Sequence, residues 1–170
     1  ARPLLQVHGQ QAVYYNPPAL PLEEAEMDGL YDLPFARRPH PSYDEPIPAF
    51  ETVKASIVTM RGCFGGCTFC SITEHEGRVI QSRSEESVLR EVRALSRMSG
   101  FSGTISDVGG PTANMYKLSC KDDKTEHACR RLSCVHPGVC ENLNTDHGPL
   151  VRLLRKVRQE PGIKRVYVAS

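Results

Sequence analysis

Three cysteines lie within eight residues of one glycine-rich segment, Arg61-Gly-Cys63-Phe-Gly-Gly-Cys67-Thr-Phe-Cys70. Its glycines permit the sharp turns that a backbone needs to wrap around an ion or a cluster, and thiolates are soft ligands suited to Fe–S clusters, zinc or Cu(I). Three thiols on a four-iron cluster leave one iron open, just as catalytic zinc sites keep one position free. The segment therefore predicts a metal centre that can bind a small molecule.

Two other interpretations of this trio stay open. A zinc site could be completed by His75 or by another cysteine, although ordinary zinc ligands come as two short cysteine pairs, which one close trio matches less well. Incidental buried thiols are the least favoured interpretation. A solvated histidine is the simpler interpretation of His75, which lies between two glutamates.

The total of seven cysteines argues against a disulfide framework, because an odd number cannot pair completely and the chain starts without a signal-peptide layout. The formal charge of +1 gives no strong field toward nucleic acid or an anionic membrane. No stretch approaches the roughly 18 apolar residues of a membrane span. We therefore expect a soluble cytoplasmic protein with no membrane partner and no indicated nucleic-acid partner.

The hydrophobic pattern predicts an α/β fold after a proline-rich extended segment at residues 1–50. A short helix is predicted within that segment at 22–31, strands at 55–60, 103–108 and 163–169, helices at 85–98 and from Pro149 to Pro161, and an irregular cysteine-rich insertion at 112–147. Strands that alternate with helices indicate a parallel sheet with right-handed crossovers and functional loops at the carboxyl ends of the strands. Because the chain does not begin with Met and stops directly after a predicted strand, we expect a fragment with one domain at 51–170.

The Cys-x3-Cys-x2-Cys spacing, with the aromatic Phe69 before the third cysteine, resembles the cluster loop of the radical S-adenosylmethionine (SAM) superfamily. Residues 62–83, with the phrases Ser71-Ile-Thr-Glu-His-Glu-Gly77 and Ile80-Gln-Ser-Arg83, resemble the YgiQ-like family of that superfamily, as do residues 106–116. The resemblance covers most of residues 30–170.

The resemblance implies a radical SAM enzyme whose fold here is part of a (β/α) barrel with about three parallel strands. Cys63, Cys67 and Cys70 would then ligate three irons of a [4Fe–4S] cluster while SAM chelates the fourth, Phe69 would lie near the adenine, and Gly109 and Gly110 would match the glycine motif that meets the SAM amino group.

In such enzymes an electron donor such as a flavodoxin or a ferredoxin reduces the cluster. SAM is then cleaved to a 5′-deoxyadenosyl radical, which acts on a substrate that the resemblance does not identify. The cofactor supplies the reactivity while the protein orients it and excludes water. Since that exclusion needs the whole barrel, we expect this fragment alone to be inactive.

A second group of cysteines, Cys120, Cys129, Cys134 and Cys140, lies in the insertion. Metal binding can substitute for hydrophobic burial in a segment with little core of its own, so these thiols could hold zinc or an auxiliary Fe–S cluster. Their spacing matches no standard zinc module, and reduced thiols on a loop are the alternative. The group keeps one competing function open, a zinc-stabilised binding module that uses these thiols. A third possibility is an electron-transfer Fe–S protein without SAM chemistry, which would need a fourth ligand on the cluster held by Cys63, Cys67 and Cys70.

Arg83, next to the predicted cap of the 85–98 helix, is a candidate contact to SAM or substrate.

Overall fold

The strands of the described residues form small two-stranded sheets, and those of the two parallel sheets are separated along the chain by helices. The computed structural model describes residues 3–17, 19–112 and 114–168. The elements are β1 (Leu4–His8), β2 (Gln11–Tyr15), α1 (Glu24–Tyr31), α2 (Pro48–Val53), β3 (Ser56–Val58), β4 (Met60–Arg61), α3 (Ile72–Glu76), β5 (Gln81–Ser82), α4 (Glu85–Ser96), β6 (Thr104–Ile105), β7 (Asp107–Gly109), α5 (Asp123–Ala128), α6 (Gly148–Gln159) and β8 (Arg165–Val166).

The parallel pairing follows the predicted order of strands. β3 pairs with β7, with Ser56 opposite Asp107, and β6 pairs with β8. The two pairs are joined because the N–H of Val108 donates to the carbonyl of Tyr167 at 2.9 Å. The strands are shorter than predicted, and the end of the third predicted strand, at Ala169, lies outside the described residues. Parallel pairing with intervening helices is typical of a β/α arrangement, and closure into a barrel stays a prediction.

Helix α4 begins and packs as its sequence predicts. The Ser84 side chain accepts a hydrogen bond from the N–H of Ser87 at 3.1 Å, which satisfies one of the free amides of the first turn. Val88, Val92 and Leu95, which repeat at helical spacing, are all buried in the core. Each such burial stabilises the fold by roughly 1.5–3 kcal/mol, so this face holds the helix against the sheet.

Helix α6 supplies the second crossover. Leu150, Leu153 and Val157 are buried against the same core as α4. At the far end of α6, the Glu160 carboxylate accepts hydrogen bonds from the Arg93 guanidinium of α4 at 2.7–3.1 Å. None of the helices in the described part of the chain is long and apolar enough to cross a membrane.

The segment before the sheet contains more regular structure than predicted. The short helix α1 is present, but the proline-rich segment also contains α2 and the antiparallel hairpin β1–β2, neither of which was predicted. Every residue of the hairpin is exposed. Helix α1 is anchored to α4, because the Asp28 carboxylate accepts from the N–H of Ser84 at 2.9 Å and Met27 is buried.

The insertion is mostly irregular, as predicted, with the additional short helix α5. The Asp122 side chain caps α5 by accepting from the N–H of Thr125 at 2.8 Å. Cys120 and Leu143 form an isolated antiparallel bridge that brings the two ends of the insertion together. Between these ends, at residues 121–142, Ser133 is the one buried residue. Residues 121–142 therefore have almost no hydrophobic core of their own, whereas the flanking parts of the insertion bury Met115, Tyr116, Leu118 and Leu143 in the main core.

Candidate metal centre

The cysteine trio begins at the carboxyl end of the first parallel strand. β4 follows β3 directly and pairs with β5, with Met60 opposite Ser82. Gly110 lies against the same point, because a Cβ atom there would be 2.6 Å from Met60 Cγ and 2.9 Å from its carbonyl oxygen. The Gly109 carbonyl accepts from the N–H of Thr59 at 2.7 Å. The structure thus brings the two glycines and the start of the cysteine loop together.

The start of the loop is fixed by Glu76. Its carboxylate accepts from the N–H of Gly62 at 3.1 Å and pairs with the Arg61 guanidinium at 3.2 Å. Gly62 has a φ of +89°, and a Cβ atom there would lie 3.1 Å from the carbonyl carbon of Val79 and closer still to its oxygen. Only glycine fits this turn without strain. His75 is exposed in α3, as the solvated interpretation predicts.

Two of the three thiols face one point. A Cβ atom at Gly65 would lie 3.3 Å from Cys63 Sγ and 3.8 Å from Cys67 Sγ, and the Gly65 N–H donates to Cys63 Sγ at 3.4 Å. Cys63 is buried, Cys67 is exposed and Cys70 is half-buried. The N–H of Cys70 donates to the Cys67 carbonyl at 3.1 Å, which closes a backbone turn between the second and third cysteines. Phe69 is 91% exposed and presents its ring to solvent.

The insertion packs directly against this loop, a contact that the sequence analysis did not predict. The N–H of Cys134 donates to the Phe64 carbonyl at 3.0 Å. Gly66 has a φ of +63°, and a Cβ atom there would lie 2.9 Å from the carbonyl carbon of Leu132 and 3.1 Å from Ser133 Cβ. The two cysteine groups are therefore neighbouring parts of one structure rather than separate features.

The four cysteines of the insertion line one small cavity of about 40 Å³, together with Phe64, Arg78, Leu118 and Leu143. The pKa of the Cys129 thiol is lowered, first by a hydrogen bond from the Arg131 backbone N–H and then by Arg78. Burial raises the pKa of the Cys134 thiol. All seven cysteines are unpaired.

Neither cysteine group is assembled at coordination spacing. Within residues 3–17, 19–112 and 114–168, no group of three or more Cys, His, Asp or Glu side chains has the geometry of a formed metal centre. Metal sites are completed by the metal itself, which draws deprotonated ligands together when it binds. The structure thus shows which thiols lie in the loop and which line the cavity, without a formed coordination geometry.

Arg83 does not lie where the sequence analysis suggested. It is fully buried, donates to the Val58 carbonyl at 2.7 Å and the Ser87 carbonyl at 2.9 Å, and pairs with Glu91. Its guanidinium lies 4.1 Å from the centre of the Tyr31 ring. Burial lowers the pKa of Arg83 to about 10. With its donors engaged by protein groups, Arg83 joins β3, α4 and α1 rather than contacting a ligand.

Comparison with known proteins gives a match to the Radical SAM N-terminal family at residues 1–56. A UPF0313 protein of Bradyrhizobium diazoefficiens is 62% identical to the chain over 172 aligned residues, which cover 100% of this chain and 26% of the relative. UPF0313 proteins of Rhodopseudomonas palustris and Methanocella arvoryzae are 60% and 57% identical, over 100% and 98% of this chain and 25% and 28% of their own lengths. The chain spans about a quarter of the length of these curated relatives.

Proposed function

The chain belongs to the YgiQ-like (UPF0313) family of the radical SAM superfamily, of which it forms a segment, and on this premise we propose that it supplies the cysteine site of a radical SAM enzyme. In this proposal Cys63, Cys67 and Cys70 hold a [4Fe–4S] cluster, and Gly109 and Gly110 face the SAM that binds its open iron. The observation that carries the proposal is the packing of Gly110 against Met60, which places the glycine pair beside the start of the cysteine loop.

The donor set of the loop suits such a cluster. Fe–S clusters are held by cysteine thiolates and tuned by hydrogen bonds to sulfur. The Gly65 N–H already donates to Cys63 Sγ, and the sulfurs of Cys63 and Cys67 lie within 4 Å of one point beside Gly65. A trio of protein ligands leaves a position for a small molecule, which a closed four-ligand site does not.

When bound, the reduced cluster would supply one electron, received from a donor such as a flavodoxin or a ferredoxin, for reductive cleavage of a carbon–sulfur bond of SAM and hydrogen abstraction from a substrate. The residues of this chain bind and orient the cofactors. Glu76 and the turn at Gly62 fix the first ligand, and the exposed ring of Phe69 offers an apolar face for the adenine. Exclusion of water requires elements beyond this chain, so we expect no turnover from it alone.

A cytoplasmic location is part of the proposal. All seven cysteines of the chain are unpaired, and a reducing compartment keeps such thiols available for metal binding.

The test is anaerobic reconstitution of the chain with iron and sulfide, followed by gel filtration and metal analysis. We expect about four iron and four sulfide ions per chain, and less than about a tenth of that in the variant C63A/C67A/C70A. The matched control replaces the other four cysteines with serine and should retain the iron. Far-ultraviolet circular dichroism of both variants checks that they fold. Iron that stays with the folded triple variant, or leaves only with the insertion cysteines, would contradict the proposal.

A further inference from the structure

The four cysteines of the insertion converge although they are spread over the segment from residue 120 to residue 140. We propose that Cys120, Cys129, Cys134 and Cys140 form a closed zinc site that fastens the insertion to the cysteine loop. The site is separate from the proposed function, because it uses none of the three cysteines assigned to the cluster.

Short backbone contacts hold three of these cysteines near one another. The N–H of Cys140 donates to the Cys134 carbonyl at 2.8 Å, and the N–H of Leu143 donates to the Cys140 carbonyl at 2.9 Å. Leu143 also bridges to Cys120, so one small backbone unit carries three of the four thiols. The fourth, Cys129, is tied to the cavity because its carbonyl accepts from the Arg78 guanidinium at 2.9 Å, and Arg78 lines the same cavity.

The size of the cavity favours a single ion. A volume of about 40 Å³ has room for one ion or a few water molecules. Four thiolates at about 2.3 Å from one ion, with no open position, are the usual ligands of structural zinc. The four thiols line the cavity without being at coordination spacing in the described part of the chain, so binding of the ion would have to draw them inward.

The charge balance also suits zinc. On binding, each of the four thiols releases one proton, and four thiolates around Zn²⁺ leave two excess negative charges. The Arg78 guanidinium, which lines the cavity, offsets part of this charge. Phe64, Leu118 and Leu143 form an apolar wall that limits access of water to the ion.

The middle of the insertion lacks the hydrophobic burial that would hold it in place, and a metal ion could supply that stabilisation. Residues 121–142 bury only Ser133, so little hydrophobic free energy opposes the entropy cost of ordering them. A metal ion can take the place of a hydrophobic core in a segment of this size. Zinc at these thiols would also hold the backbone at Cys134, whose N–H donates to Phe64 in the cysteine loop. The site would thus position one wall of that loop.

The test is metal analysis of the chain after anaerobic purification without added metal. We expect about one zinc ion per chain, retained in C63A/C67A/C70A and in the controls His127→Ala and His136→Ala, whose imidazoles do not line the cavity. In Cys129→Ser and Cys134→Ser, zinc affinity in a chelator competition should fall by about tenfold or more, because a thiolate ligand is lost.

A second measurement covers the case in which the serine variants fail to fold. Cobalt added to the metal-free wild-type chain should give the intense visible absorption of a tetrahedral thiolate site, and added zinc should displace it. Zinc affinity unchanged in both serine variants would overturn the inference. So would iron in place of zinc at these thiols, a disulfide among them in anaerobic protein, or octahedral cobalt. Zinc retained in C63A/C67A/C70A would support the inference even if the cluster proposal failed.

Discussion

Replacing Gly66 with alanine tests whether the insertion and the cysteine loop form one structure. At this position φ is +63°, a conformation that costs an L-residue about 1–2 kcal/mol. The new methyl group would also lie 2.9 Å from the carbonyl carbon of Leu132 and closer to its oxygen. Both neighbours are backbone, so they cannot swing aside, and overpacking of this kind costs a further 1–3 kcal/mol, roughly.

We therefore expect Gly66→Ala to lower the free energy of unfolding by about 2–5 kcal/mol, or Tm by about 5–15 °C for a chain of this length. Two other glycines separate the contributions. Gly100 has a φ of +80° but no atom within 4 Å of an added Cβ, so Gly100→Ala should show only the backbone cost. Gly138, in the insertion, has open space and no positive φ, so Gly138→Ala should change stability by less than about 1 kcal/mol.

The assay is urea and thermal unfolding of the metal-free chain under reducing, anaerobic conditions, followed by circular dichroism. From most to least destabilised, we expect the order Gly66→Ala, Gly100→Ala and Gly138→Ala. If Gly66→Ala were no less stable than Gly100→Ala, the insertion would not press on the loop as described.

Two further substitutions test the framework around the site. Arg83→Met should lower the free energy of unfolding by about 3 kcal/mol, because it removes the donor of the Val58 and Ser87 carbonyls and one of the two arginines that pair with Glu91, the other being Arg37. The control Arg90→Met, at the exposed pair with Asp32, should cost less than about 1 kcal/mol, and equal costs in urea unfolding would contradict the burial argument. Ser84→Ala should destabilise α4 by about 1 kcal/mol, whereas Ser84→Gly should cost only a few tenths of a kcal/mol, roughly, in the same assay. If Ser84→Ala left the free energy of unfolding unchanged, the Ser84 side chain would not cap the helix.

Helices α4 and α6 could be predicted from sequence because their signals are local. The cap at Ser84 and the spacing of Val88, Val92 and Leu95 are each contained within a few turns of chain. The strands were predicted at the correct positions but with too many residues, because pairing with distant partners determines where a strand ends. The hairpin β1–β2 was not predicted, because the prolines that follow it favoured an extended segment over all of residues 1–50. A signal was available in two runs rich in aliphatic and aromatic residues, separated by Gly9 and Gln10.

The site could be predicted only in part, because local spacing can be read from the sequence while contacts between distant residues cannot. The cysteine trio lies within one loop, so its spacing alone indicates a metal centre. The convergence of Cys120 with Cys134 depends on the bridge to Leu143, and the burial of Arg83 depends on Val58 and on α1, which are remote in sequence. The sequence offered Arg83 as a candidate ligand contact, whereas the structure engages its guanidinium with protein groups. The four insertion cysteines line one cavity, and a metal site there stays a prediction.

The most direct test of the central claim is low-temperature EPR of the anaerobically reconstituted, dithionite-reduced chain, recorded with and without SAM. The account predicts a reduced [4Fe–4S] signal that depends on Cys63, Cys67 and Cys70 and that changes when SAM is added, because SAM would bind the iron that has no protein ligand. The full-length Bradyrhizobium relative, reconstituted in parallel, provides the reference for a complete fold. A cluster signal that is identical with and without SAM in both proteins would contradict the account.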